Sequence, residues 1–356
     1  MKKAIVTGVT GQVGSYMADF LLKFTNIKVY GAIRRLSVPN HKNIEHIKDP
    51  NFELIEMDLG DEHSIFTTVQ EIQPDYFINF AANSFVGNSW HMPVNHFDTN
   101  ALGVMRQLEA IRKICPNCRY YNAGSSEEFG DVMYSPQDLE HPPRPRSPYG
   151  ASKVAARQIV KVWRDSYNLF AVQGYLFNHE SERRGEEFVT RKITMNVARI
   201  KKEIEKNVKG DAFEIKPFEL GNLDAKRDWS HAKDFVRAVW LMLQEDKPKD
   251  YLLASGETHT VREFVELAFK HANIGGNYDP SDYKWRGSGT DEALYFGTIP
   301  VVKINKEFYR PAEVELLLGD PSEAQKDLHW EKSIDFSTLV RKMVENDIEK
   351  SARCNS

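Results

Sequence analysis

Ala4-Ile5-Val6-Thr7-Gly8-Val9-Thr10-Gly11-Gln12-Val13-Gly14 is the stretch whose reading decides the fold of this chain. Residues 4–6 are a short apolar run of the kind that forms a buried strand. Residues 14–24 carry apolar side chains at helical spacing. The turn between them is spaced Gly-x-x-Gly-x-x-Gly. Gly8 permits a tight turn, Gly11 lets backbone approach a pyrophosphate, and Gly14 lets the helix pack on the strand. A diphosphate at this turn would meet free N–H groups and the positive end of the helix dipole. A glycine triplet alone is also found in turns kept only for packing. The strand before this one and the helix after it favour dinucleotide binding.

Working outward, the same alternation continues. Residues 29–33, 52–55, 75–81, 119–123 and 170–176 read as strands. Residues 64–71, 100–113 and 151–167 read as helices. Strands joined by helices through short connections imply a parallel sheet covered on both faces. Past Asn178 the alternation loosens into helices at 191–205, 231–244, 261–271, 322–328 and 336–350, with short extended pieces at 213–215 and 217–220. The expected fold class is α/β: a Rossmann-type doubly wound parallel sheet with a smaller, mixed α/β C-terminal substrate domain. The first domain is expected over residues 1–177, with returning segments near 219–256 and 298–306. The second is expected over 178–218 and 257–350.

Length and composition narrow the function. The chain has 356 residues, 41% apolar and 28% charged, with a net charge of −4. Such a chain needs no disulfide or metal staple to fold, and it has no general basic field for nucleic acid or an anionic membrane surface. No run approaches the ~20 apolar residues of a membrane span. Three cysteines exclude a disulfide framework. Cys115-Pro-Asn-Cys118 has metal-ligand spacing without a second ligand pair, so it reads as a helix-end turn with free thiols, and no metal is expected. The expected location is the cytoplasm.

Two positions define the chemistry. Residues 31–37 read Gly-Ala-Ile-Arg-Arg-Leu-Ser, with no acid at the end of the second strand to bind a ribose 2′-hydroxyl. Arg34 and Arg35 instead suit the 2′-phosphate of NADP. Asp58 and Leu59, closing the third strand, are placed to meet an adenine, and Ala81 and Ala82 leave room for the cofactor to pass. Tyr149 and Lys153, four apart at a helix start, face one side. A tyrosine pKa near 10 makes it a poor base, and a neighbouring ammonium lowers that value. Ser125 and Glu127 follow the fifth strand, at the sheet end where open α/β sheets hold ligands. Serine can bind a hydroxyl or ketone oxygen. A carboxylate beside it allows proton abstraction next to a carbonyl, which elimination chemistry requires.

These motifs together resemble the extended short-chain dehydrogenase/reductases that modify nucleotide sugars. Within them, six segments are similar to the GDP-mannose 4,6-dehydratase family. They are Gly11-Gln12-x-Gly14-Ser15-Tyr16, Arg146-Ser-Pro-Tyr149-Gly-Ala-Ser-Lys153, Leu176-Phe-Asn-His-Glu-Ser181, Phe188-Val-Thr-Arg-Lys192, Gly221-Asn-Leu-Asp-Ala-Lys-Arg-Asp-Trp229 and Tyr309-Arg-Pro-x-Glu313-Val. The likeness runs from about residue 3 to residue 345. It implies NADP as cofactor, a GDP-sugar as substrate, a homodimer or homotetramer, and conversion of GDP-mannose to GDP-4-keto-6-deoxymannose by internal hydride transfer and loss of water. Catalysis would fall to Ser125, Glu127, Tyr149 and Lys153. The cofactor would contact Gly8, Thr10, Gly11, Gln12, Val13, Gly14, Arg34, Arg35, Asp58, Leu59, Ala81, Ala82, Tyr149, Lys153, His179 and Arg184. The substrate would contact Ser84, Asn178, Val189, Lys192, Asn222, Arg227, Arg310 and Glu313.

The chain departs from the family pattern at Val13, where an aspartate is usual, at Ser125, where threonine is common, and at Phe129, where tyrosine is usual. Residues 83–90 differ from the usual sugar-side loop, which leaves a GDP-manno-heptose or another GDP-sugar open as substrate. An epimerase or 4-ketoreductase on the same scaffold is the competing enzyme reading, and a catalytically dead NADP-binding relative is the non-enzymatic one. The intact Ser125, Glu127, Tyr149 and Lys153 argue against the last.

Overall fold

A computed structural model of the chain describes residues 1–207, 215–276, 279–308 and 316–353. The chain divides into two compact units. The first comprises residues 1–179, 228–257 and 317–333; the second comprises the described residues of 180–227, 258–316 and 334–353.

The first unit is built on a seven-stranded sheet. In chain order its strands are β1 (Lys2–Thr7), β2 (Ile27–Ile33), β3 (Phe52–Glu56), β4 (Tyr76–Asn79), β5 (Arg119–Ala123), β6 (Ala171–Leu176) and β7 (Tyr251–Leu253). The spatial order is β7-β6-β5-β4-β1-β2-β3, and every adjacent pair is parallel. The order reverses at β1 and β4, which creates the crevice where such sheets take ligands. Helices α1 (Gln12–Phe24), α2 (Glu62–Ile72), α3 (Gly103–Ile114) and α4 (Pro148–Tyr167) make the crossovers.

Both faces of the sheet are buried, which explains why the strands read as apolar runs rather than as alternating patterns. On one face α1 and helix Ala232–Met242 pack Tyr16, Met17, Leu21, Phe235 and Val239 against Val6, Val29 and Ile78. On the other, α2, α3 and α4 pack Ile65, Val69, Leu108, Ile111, Ala156 and Val160 against Ile5, Phe77 and Tyr120. Trp330 completes the first face: it is fully buried, and its Nε1 donates to the Asp234 carbonyl at 2.9 Å.

Two boundaries move relative to the sequence reading. Helix α4 begins at Pro148 rather than at 151, because Ser147 caps it by accepting from the Gly150 N–H at 3.0 Å and proline is tolerated in a helix's first turn. Residues 298–306, expected with the first unit, instead supply strand Ile299–Ile304 of a four-stranded sheet in the second; it is the Leu317–Ser333 segment that returns to the first. In that second sheet Ile299–Ile304 pairs antiparallel with Ala293–Phe296 and parallel with Phe218–Leu220. Helices Val189–Asn207, Val261–Ala272 and Phe336–Arg353 pack on one another beside it. The extended piece expected at 213–215 lies partly outside the described residues; Ile215, which is described, is not in a strand.

Candidate active site

The glycine turn has the form its spacing demands. Gly8 has φ +65°, and a Cβ there would lie 3.0 Å from the Ala81 nitrogen, so β1 and the chain leaving β4 touch at this point. A Cβ on Gly14 would come within 2.2 Å of the Gly8 carbonyl oxygen. Gly11 stands at the N-cap of α1 in extended conformation and donates to the Gly8 carbonyl at 2.9 Å. Having no side chain, it leaves the N–H groups of the helix's first turn uncovered. The turn thus offers a glycine cradle at a helix N-terminus, and these residues fit a dinucleotide diphosphate. Gln12 is buried and donates to the His179 carbonyl at 2.9 Å, and Asn43 donates to the Thr10 carbonyl at 3.0 Å. Val13, whose backbone opens α1, turns its side chain into the core.

Arg34 and Arg35 are exposed just past β2. Asp58 is exposed, with Oδ1 accepting from the Gly60 N–H at 2.9 Å, whereas Leu59 is buried. Ala81 and Ala82 are half-buried, and Ser84 is exposed.

Beneath this crevice lies a feature the sequence reading did not find. Thr7 Oγ1 donates to Asn79 Oδ1 at 2.6 Å, Asn79 Nδ2 to Asn122 Oδ1 at 2.9 Å, and Asn122 Nδ2 to Gln173 Oε1 at 2.8 Å. All four side chains are buried, one each from β1, β4, β5 and β6. Thr7 Oγ1 also accepts from the N–H groups of Phe80 and Ala81. The signal was one amide or aliphatic hydroxyl side chain in each of the four strands, the last residue of β1 and β4 and an interior one of β5 and β6.

Past β5 the chain makes a single helical turn, Ser126–Glu128. Ser125 Oγ accepts from the Glu127 N–H at 3.2 Å, and Glu128 Oε1 accepts from the Ser125 N–H at 2.8 Å. These reciprocal caps hold Ser125 and Glu127 on one rigid turn. A Cβ on Gly150 would lie 2.6 Å from the Glu127 carbonyl oxygen, so the first turn of α4 rests on it. Tyr149 and Lys153 are in that first stretch of α4, both buried, with Lys153 Nζ 5.9 Å from the Tyr149 ring centroid. Lys153 Nζ donates to the Ala123 carbonyl at 2.7 Å. Burial pulls its pKa down to about 8, opposed by the charge of Glu128. The structure therefore brings Ser125, Glu127, Tyr149 and Lys153 onto two segments in direct contact.

The remaining expected residues are distributed as follows. In the first unit, Asn178 is half-buried with Oδ1 buried and without a hydrogen-bond partner among the described residues. His179 places Nδ1 2.9 Å from the Phe177 carbonyl and packs its ring on Phe235. In the second unit, Arg184 pairs with buried Glu180 at 3.1 Å and lies 3.5 Å over the Phe188 ring. Lys192 lies 3.7 Å over the Phe308 ring, and burial lowers its pKa. Arg227 is buried, with NH1 donating to the Lys226 carbonyl at 2.9 Å. Asn222 accepts from the Asp224 N–H at 2.9 Å, and Val189 opens its helix with its side chain exposed. Arg310 and Glu313 lie outside the described residues. Among those residues no cluster of His, Cys, Asp or Glu suits a metal ion. Cys118 donates its N–H to the Cys115 carbonyl at 2.8 Å, forming the turn expected at the end of α3. Among the described residues no helix is long and apolar enough to cross a membrane.

A parallel sheet with a glycine cradle at its first crossover and a Tyr-x-x-x-Lys helix after β5 defines a Rossmann-type enzyme of the short-chain dehydrogenase/reductase kind. Solved structures share that fold over nearly the whole chain. A dTDP-glucose 4,6-dehydratase from Streptomyces venezuelae aligns with TM-score 0.80 at 19% identity, covering 99% of this chain and 98% of its own. A dTDP-glucose 4,6-dehydratase from Bacillus anthracis aligns with TM-score 0.76 at 18% identity, covering 99% and 98%. Residues 5–343 match the family model described as GDP-mannose 4,6 dehydratase. The GDP-mannose 4,6 dehydratase of Drosophila melanogaster is 44% identical, over 98% of this chain and 86% of the relative. Those of Homo sapiens and Vibrio cholerae are 42% and 40% identical over 97% and 98% of this chain, and 91% and 94% of the relatives. The chain belongs to the GDP-mannose 4,6-dehydratase family.

Proposed function

We propose that this chain is an NADP-dependent GDP-mannose 4,6-dehydratase, a hydro-lyase that converts GDP-mannose to GDP-4-keto-6-deoxymannose. The observation that carries the reading, beside family membership, is the contact between the Ser125–Glu128 turn and the start of α4. It supplies two acid–base centres, one for an alcohol and one for a carbon acid.

The glycine turn at Gly8, Gly11 and Gly14 would hold NADP, which would serve as both hydride acceptor and hydride donor, so no net redox occurs. Tyr149, as phenolate, takes the proton of the sugar's 4-hydroxyl, and the Lys153 ammonium stabilises that phenolate. Ser125 donates a hydrogen bond to the C4 oxygen as it becomes a ketone. Glu127 removes the C5 proton that the ketone has acidified and passes it to the C6 hydroxyl, which leaves as water; when hydride returns to C6, Tyr149 gives the proton it took from the 4-hydroxyl to C5. Arg34 and Arg35, with no acid beside them, support NADP over NAD. Thr10, Gln12, Val13, Asp58, Leu59, Ala81, Ala82, His179 and Arg184 are proposed to complete the cofactor site. Lys192, Arg227 and Arg310 are proposed to neutralise the GDP diphosphate. Glu313 is proposed to accept from guanine, with Ser84, Asn178, Val189 and Asn222 as further substrate contacts. The assembly is proposed to be a homodimer or homotetramer acting in the cytoplasm.

The test is GDP-mannose deuterated at C4, incubated without added NADPH. The expected product is lighter by one water and carries the deuterium at C6. No water loss, or loss of the label to solvent, would sink the reading. The unusual 83–90 segment favours running GDP-manno-heptose in parallel, as the second candidate substrate. Glu127→Gln separates dehydration, which should lose C5 proton exchange, from 4-ketoreductase chemistry, which should survive the change.

A further inference from the structure

Two adjacent glutamates follow Ser126, and they look interchangeable in sequence. In the fold they are not: Glu127 is half-buried, whereas Glu128 is completely buried. A buried carboxylate needs hydrogen bonds or counter-charges. Glu128 has one such hydrogen bond and two counter-charges, Arg157 and, more weakly, Lys153; the hydrogen bond and Lys153 belong to the catalytic apparatus. Its Oε1 accepts from the Ser125 N–H, closing the turn that carries Ser125 and Glu127. Its Oε2 is buried and has no hydrogen-bond partner among the described residues.

The groups acting on this carboxylate come from several elements. Lys153 and Arg157 on α4 favour its charge, and Asp250, just before β7, opposes it. Arg157 stacks 4.6 Å over the ring of Tyr175, a β6 residue. Asp250 is neutralised in part by Arg164 at 2.7 Å and accepts from Tyr175 OH at 3.1 Å. Lys153 has its hydrogen bond to a neutral carbonyl, that of Ala123; the charge supporting its ammonium is Glu128.

We propose that Glu128 is a positioning residue that locks the Ser125–Glu127 turn and supplies the counter-charge keeping Lys153 an ammonium beside Tyr149. The inference rests on the dehydratase reading for the roles of Tyr149 and Lys153. Burial lifts Glu128 to about 7, held back by the Ser125 N–H bond, Arg157 and Lys153, and draws Lys153 down to about 8, held back by the charge of Glu128. Removing the carboxylate leaves Lys153 to lose its proton at lower pH, and the phenolate of Tyr149 then loses its stabilising charge.

The experiment compares Glu128→Gln with wild type in two measurements. Glutamine retains an oxygen for the Ser125 N–H but carries no charge. The first measurement is the pH profile of kcat with GDP-mannose. In Glu128→Gln its alkaline limb is expected to fall by roughly one pH unit, narrowing the plateau. The second is the phenolate absorbance titration of Tyr149, taken as the difference between each protein and its Tyr149→Phe version. Its midpoint is expected to move up. Glu128→Asp, which restores the charge, is expected to return both toward wild type. If Glu128 is only a cap, Glu128→Gln will superimpose on wild type in both, and the proposal is overturned. The titration needs no substrate. Absence of turnover therefore sinks the dehydratase reading alone, and an unmoved titration sinks this one.

Discussion

Gly14→Ala is the sharpest test of the cofactor turn. The added methyl would sit 2.2 Å from the Gly8 oxygen, 2.7 Å from the Gly8 carbon and 2.9 Å from Val9 Cα. All three are backbone atoms, so no side chain can swing away. Relief requires α1 to withdraw from β1 by most of an ångström. Val13, Tyr16, Met17 and Leu21 of α1 are buried in the core of that face and resist the movement. Overpacking of this kind costs about 3 kcal/mol or more, the upper part of the usual range. For a domain of this size that lowers Tm by roughly 6–12 °C. Any residual displacement would carry the uncovered N–H groups away from the diphosphate. Gly11→Ala separates the two effects: its new atom meets the Gly8 oxygen at a tight 3.1 Å that a shift of a few tenths of an ångström relieves, so it should cost less Tm while still crowding the diphosphate. Thermal unfolding with and without NADP, together with NADP binding by quenching of protein fluorescence, reads both effects. A Gly14→Ala protein with wild-type Tm and wild-type affinity would refute the reasoning.

Tyr149→Phe should lower kcat by about 10²–10⁴-fold while leaving Tm and NADP affinity nearly unchanged, as stopped-time product assays and unfolding curves would show. Arg35→Ala combined with Arg34→Ala should weaken NADP binding far more than NAD binding, and raising salt should shrink the difference because both side chains are exposed; equal losses for the two cofactors would count against the 2′-phosphate assignment. Asp228 is buried and accepts N–H bonds from Ser255 and Gly256, yet desolvation still lifts its pKa to about 6. Its folded-state value lies above the unfolded one, so the stability it contributes is present below about pH 4 and is lost as pH rises through 6. The stability gap between wild type and the non-titrating Asp228→Asn should therefore narrow across that window, by an amount on the order of 3 kcal/mol; a gap that widens with pH would contradict the sign.

What the sequence disclosed follows from the range over which its signals act. The glycine spacing, the apolar runs and the Tyr149–Lys153 interval are local, and each found its strand, turn or helix. The start of α4 was legible too, in Ser147 followed by Pro148, but the helical period alone placed it three residues late. β7 was hidden because a three-residue strand shows no period. The amide ladder was hidden because Thr7, Asn79, Asn122 and Gln173 are scattered along the chain and meet only across the sheet. Glu128 was hidden for a different reason. Neighbouring residues on a tight turn point apart, and composition cannot tell which of two glutamates turns inward. The assignments of Arg310 and Glu313 rest on motif alone, since neither is among the described residues.

The first unit is assembled from three separate stretches of chain, and this constrains how it can come to exist. Every proposed cofactor and catalytic residue except His179 and Arg184 has left the ribosome by Lys153. The sheet face under α1 nevertheless remains open, because its cover includes helix Ala232–Met242 and the side chain of Trp330. A nascent chain must therefore carry a nearly complete nucleotide site on a half-covered sheet while well over a hundred further residues are made. During that interval the exposed valines and isoleucines of the strands are open to chaperones and to unwanted partners. A fragment ending near residue 179 would retain the motif and lose the means of keeping it soluble.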